Sequence, residues 1–131
     1  MVLNKLKQIL SKQEDLELAI LIGSQAKGTA TINSDWDIAI RWAKNIPPIQ
    51  RLSKSEKLRR LLAVQLQQPE TKIDLVDLTT AKIAMRAVVA EEGVVLKGGD
   101  SPEWTHFLQH TWRELEEFYW DKIYATGTVS G

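Results

Sequence analysis

The stretch LAILIGSQAKGTATINSDWDIAIRW, residues 18–42, decides the fold, because it sets a Gly-Ser turn ten residues ahead of an Asp-x-Asp pair. Leu18 to Ile22 is a continuous apolar run that is too short for an independent helix and stops at Gly23. It reads as a buried strand delivering a tight turn. Glycine lets the backbone come close to an anion, and Ser24 adds a hydroxyl and an amide donor. A short helix starting at Ser24 or Gln25 would aim its positive end at the same anion, so Gly23 and Ser24 form a candidate triphosphate cradle.

Asp35 and Asp37 are two residues apart in DWDIAIRW, which alternates towards β structure. Their side chains therefore leave the same face of a strand and can reach one metal cluster. Hard divalent cations such as Mg²⁺ prefer carboxylate, water and phosphate oxygens, and two such ions ~4 Å apart can clamp the attacking and leaving oxygens of an in-line displacement. Two close carboxylates without a cation would repel each other. A third carboxylate comes from KIDLVDL, residues 72–78, another short strand. Asp74 and Asp77 differ in parity, so only one can share a face with Asp35 and Asp37. Asp74 is the better candidate because it is embedded among apolar neighbours, where an unpaired carboxylate is costly. Asp77 comes at the strand end, before Thr79 and Thr80, which read as the cap of the next helix.

These residues resemble the signature of the polymerase-β-like nucleotidyltransferase superfamily: Gly23-Ser24, ten intervening residues, Asp35-x-Asp37 and a hydrophobic strand, with Asp74 where the third acidic residue would stand. The resemblance covers residues 16 to about 97. The compact length is similar to the minimal nucleotidyltransferases, the MNT type, which serve as antitoxins beside a small helical HEPN-domain toxin. Many relatives carry arginine where this chain has Gln25 and Lys27; Lys27 keeps a charge for a phosphate, as a point charge rather than a fork. The resemblance implies transfer of AMP from ATP to a tyrosine hydroxyl of a HEPN-fold RNase toxin, with release of pyrophosphate. Asp35, Asp37 and Asp74 would hold two Mg²⁺ ions, and Gly23, Ser24 and Lys27 would position the triphosphate. Two rivals stand beside it: transfer to a small-molecule hydroxyl such as an aminoglycoside, and a non-catalytic antitoxin that masks its partner.

The rest of the chain fits an α/β (α+β) domain with a short mixed sheet and helices mainly on one face, spanning residues 1–124. Seventeen basic and seventeen acidic residues cancel, which disfavours a broad nucleic-acid footprint. The absence of cysteine excludes a disulfide framework and thiol-ligated zinc. No apolar stretch is long enough for a bilayer and the N-terminus lacks a signal-peptide pattern, so a cytoplasmic protein is expected. Val2, Leu3, Leu6, Ile9 and Leu10 mark an amphipathic first helix. A second long helix is predicted from about Ser53 to Gln68, with Leu58, Leu61, Leu62 and Leu66 buried and a solvated basic run from Arg51 to Arg60. A third should bury Ile83, Ala84, Ala87 and Val88 and stop before Gly93; Val94 to Leu96 reads as a fourth strand. The last helix starts near Pro102, and Trp104, Phe107, Leu108, Trp112, Leu115, Phe118, Tyr119 and Ile123 recur at core spacing. Its aromatic excess, with Trp120 off that stripe, points to a protein-binding surface, and the resemblance implies that the partner is the HEPN-fold toxin in a hetero-oligomeric complex. His106 and His110, four apart, lack a third metal ligand and read as partner-facing or solvated. Residues 125–131 have little to bury and read as a mobile tail.

Overall fold

The computed structural model describes residues 2–125, and for residues 123–125 the backbone alone. Its elements run α1 (Val2–Ser11), β1 (Leu16–Ile22), α2 (Ser24–Lys27), β2 (Trp36–Trp42), α3 (Pro48–Leu66), a 3₁₀ turn (Glu70–Lys72), β3 (Ile73–Asp77), α4 (Ile83–Glu92), β4 (Val94–Lys97) and α5 (Pro102–Ala125). The strands form one mixed sheet in the order β3-β2-β1-β4, with β1 antiparallel to β2 and β4, and β2 parallel to β3. Beyond Ala125, the tail anticipated from the sequence lies outside the described residues.

The central strand explains the layering. From Leu18 to Ile22 β1 is apolar on both faces, so it must be covered on both. Ala19 and Leu21 face a core with Leu6 and Leu10 of α1 and Leu58 and Leu62 of α3. Leu18, Ile20 and Ile22 face a second core with Val89 of α4 and Phe107 of α5. The helices are thus shared between the two faces, where the sequence reading put them mainly on one. A register shift between Leu16 and Leu18 brings Leu16 into the first core beside Ala19 and Leu21.

Two element boundaries and the burial of α5 differ from the sequence reading. α3 starts at Pro48, five residues before Ser53, because Pro48 occupies the first helical turn, where a missing N–H costs nothing. Its opening residues Ile49 and Leu52 are exposed and give no core periodicity; Leu61 is exposed as well, while Ala63 joins Leu58 and Leu62 in the core. α4 starts at Ile83 after Lys82 rather than at the threonines, because the Asp77 carboxylate accepts the Thr79 amide (2.9 Å) and holds residues 77–80 in a turn. Val89 is its buried residue, and Val88 is exposed. In α5, Phe107 and Thr111 are buried, but Trp112, Phe118 and Tyr119 are 43%, 56% and 61% exposed, so the distal aromatic stripe is surface, not core. Among the described residues, no helix is long and apolar enough to cross a membrane.

Candidate active site

Pairing of the strands brings the sequence candidates to one end of the sheet. Ile22, the last residue of β1, lies opposite Asp37 near the start of β2, and Asp37 lies beside Asp74 in parallel β3. Gly23 therefore opens its turn directly above Asp37, and Asp35 stands one residue before β2. Parity separates the two β3 carboxylates as expected. Ile73 and Leu75 pack with the α1/α3 core, so Asp74 leaves the opposite face together with Asp37. Asp77 turns towards α3, where the Arg51 guanidinium is 3.5 Å from its Oδ2.

Gly23 is required twice over. Its backbone (φ 74°, ψ −158°) lies in a region open essentially to glycine alone. A Cβ there would also stand 2.7 Å from Oδ2 of Asp37. The Gly23 carbonyl accepts the Ala26 and Lys27 amides (3.1 Å each), starting α2 at Ser24 as anticipated. The first amides of such a turn have no intrahelical acceptor. Among the described residues the Ser24 hydroxyl has no hydrogen-bond partner either.

The carboxylates are unequal. Asp35 is half exposed and faces Lys72 (Nζ to Oδ1 3.7 Å), whose ammonium also donates to the Asn33 carbonyl (2.6 Å). Asp37 and Asp74 have no hydrogen-bond or ion-pair partner among the described residues. Burial lifts the Asp37 carboxyl above its ordinary value, and the charges of Asp74 and then Asp35 raise it further. Among the described residues no three carboxylates or histidines close on a single point at ligand distances. The donor set nevertheless fits a hard divalent cation: three carboxylates share one end of the sheet, Asp37 meets only the like charges of Asp74 and Asp35, Asp74 has among the described residues no cation closer than the longer-range charge of Arg59, and the Gly23 cradle lies above Asp37. Lys27 lies elsewhere, its ammonium paired with Glu92 at the end of α4 (3.4 Å).

The family model for polymerase beta nucleotidyltransferases matches residues 4–101. Protein adenylyltransferase MntA of Shewanella oneidensis is 35% identical over 83 residues, 63% of this chain and 55% of that protein. The match thus spans about half the length of that curated relative. A solved toxin–antitoxin structure with AMP-PNP contains a chain 27% identical, with TM-score 0.73 and full coverage of both chains. The toxin–antitoxin MntA-HepT structure contains one 25% identical, with TM-score 0.65, covering 98% of this chain and 97% of that one.

Proposed function

We propose nucleotidyl transfer for this chain, which belongs to the polymerase beta nucleotidyltransferase family. The observation that carries the reading is the pairing of Asp37 with Asp74 at the strand end below the Gly23 turn, two carboxylates with no hydrogen-bond or ion-pair partner among the described residues, the first of them against a backbone that only glycine can adopt. ATP is the donor and a hydroxyl the acceptor. The acceptor oxygen attacks the α-phosphorus, the bond from that phosphorus to the bridging oxygen breaks, and pyrophosphate leaves with the electron pair. Asp74 orients the acceptor hydroxyl and takes its proton. The Ser24 hydroxyl and the amides at the start of α2 hold triphosphate oxygens against Gly23, and Lys27 joins them only on leaving its ion pair with Glu92. Asp35, Asp37 and Asp74 would hold Mg²⁺, two ions in this reading. Bound there, Mg²⁺ supplies positive charge for the developing negative charge on the phosphate oxygens.

The acceptor in this reading is a tyrosine of a HEPN-fold toxin, modified in the cytoplasm and silenced by the modification. Support comes from the adenylyltransferase name of the MntA relative and from the toxin–antitoxin complexes that contain the similar solved chains. The exposed Trp112, Phe118 and Tyr119 favour one rival, an antitoxin that acts by masking its partner. Co-expression with a helical protein encoded beside this chain's gene, followed by intact mass spectrometry of that protein, separates the two. Transfer predicts the mass of one or more AMP units with wild type and none with Asp35→Asn/Asp37→Asn. An unmodified partner that co-purifies with both versions would establish masking instead.

A further inference from the structure

Asp37, Ala39 and Arg41 alternate along one face of β2, so the end of the strand away from the carboxylates presents a cation on the same face. Four residues of strand separate the two ends by about 13 Å. At that far end lies a cavity of about 550 Å³. Arg41, Lys44, Arg51, Arg86, His106 and His110 line it, and Glu114 is the one acidic side chain of its lining. Leu78, Ala81 and Phe107 give it apolar walls.

The three guanidiniums are largely buried, with side chains 13–16% exposed, yet most of their donors are unused. Each carries five N–H groups. Arg86 spends one on the Ala81 carbonyl (3.2 Å) and one on Glu114 (2.6 Å); Arg41 spends one on Glu17 (3.4 Å). Arg51 Nε is buried with no hydrogen-bond partner, only an ion contact to Asp77 at 3.5 Å. Lys44 and His106 have no partner among the described residues. The carboxylates of Glu17, Asp77 and Glu114 thus fix the arginines without exhausting them, which lowers the ordering cost of binding a ligand.

We infer that this cavity is a second anion site, for a phosphate-bearing ligand of nucleotide size. Guanidinium forks lining one cavity suit an anion with several oxygens, phosphate above all. The volume falls within the ~300–1,000 Å³ typical of small-ligand sites, and the apolar walls can take the organic part. The site goes beyond the transfer reading: it uses none of the candidate catalytic residues and needs no metal.

Titration of the full chain with AMP by calorimetry, in EDTA so that no divalent cation occupies the carboxylate end, tests it, with adenosine as control. AMP should bind with Kd below about 1 mM, and adenosine at least about tenfold more weakly. Arg86→Gln should weaken AMP about tenfold. Lys44→Gln/His106→Gln, exposed positions whose replacement leaves the fold and melting temperature unchanged, should weaken it about threefold or more. Asp37→Asn should leave the affinity unchanged, so failure here is distinguishable from failure of nucleotidyl transfer. Absence of AMP binding to wild type, equal binding of adenosine, affinity unchanged in both pocket variants, or loss with Asp37→Asn would each overturn the inference.

Discussion

The two ends of β2 carry opposite charges and treat them in opposite ways. At the end near Trp42, the three arginines each have an acidic neighbour within the chain: Arg41 has Glu17, Arg51 has Asp77, and Arg86 has Glu114, whose carboxyl the Arg86 hydrogen bond holds below its ordinary value. At the Asp37 end the acids are not matched. One ammonium, Lys72, serves Asp35; among the described residues Asp74 has only the longer-range charge of Arg59, and Asp37 meets like charges alone. A chain with seventeen residues of each sign could have paired them. Leaving Asp37 among like charges costs stability, and in the proposed reading a bound cation supplies the missing charge.

The sharpest way to break this contrast is to neutralise the acidic end. Asp35→Asn/Asp37→Asn should lower nucleotidyl transfer by about 10³-fold, the scale of losing several kcal/mol of metal-assisted stabilisation, as read by the mass of the modified acceptor. A retained rate would remove the acidic end from the chemistry. Gly23→Ala comes next. It forces a Cβ to 2.7 Å from Asp37 Oδ2 in a conformation that alanine avoids, so thermal denaturation should show a loss of about 1–3 kcal/mol, and transfer should fall with it. The basic end should respond least. Glu17→Gln removes one countercharge of a partly exposed pair and should change stability by no more than about 1 kcal/mol in chemical denaturation. A larger loss would mean that the pairs there sustain the fold rather than trim its charge.

The pH dependence follows from the same asymmetry. Asp37 titrates above its ordinary value of 3.8 because of burial and of Asp74 and Asp35. An acid whose folded pKa is raised binds its proton more tightly in the native state. Its contribution to stability is full below the unfolded value and is lost as pH rises through the folded value. At neutral pH the ionised Asp37 is therefore a cost.

Much of the acidic end was legible in the sequence because strand parity is local. The two-residue spacing of Asp35 and Asp37, and the three-residue spacing of Asp74 and Asp77, fix faces once the strands are recognised. The glycine ending an apolar run likewise announces its turn. The basic cavity could not be read this way, since β2, α3 and α4 each contribute one arginine and α5 two histidines, from positions far apart in the sequence. The Asx turn of Asp77 delays α4 through a side-chain hydrogen bond that has no periodic signature. Helical spacing also misjudged the end of α5, where Trp112, Phe118 and Tyr119 continue the apolar stripe of Trp104 and Phe107 but remain exposed. A helix of 24 residues is about 36 Å long and a strand of seven about 23 Å, so α5 outruns the sheet that could cover it.

The most direct test of the account is the melting temperature of wild type and Asp37→Asn at neutral pH, each with and without Mg²⁺ and a non-hydrolysable ATP analogue. If the acidic end stores repulsion for a cation to relieve, wild type melts lower than the variant and rises on adding Mg²⁺ with the analogue, while the variant starts higher and responds little. A variant that melts no higher than wild type, with both responding equally to Mg²⁺ and the analogue, would contradict it.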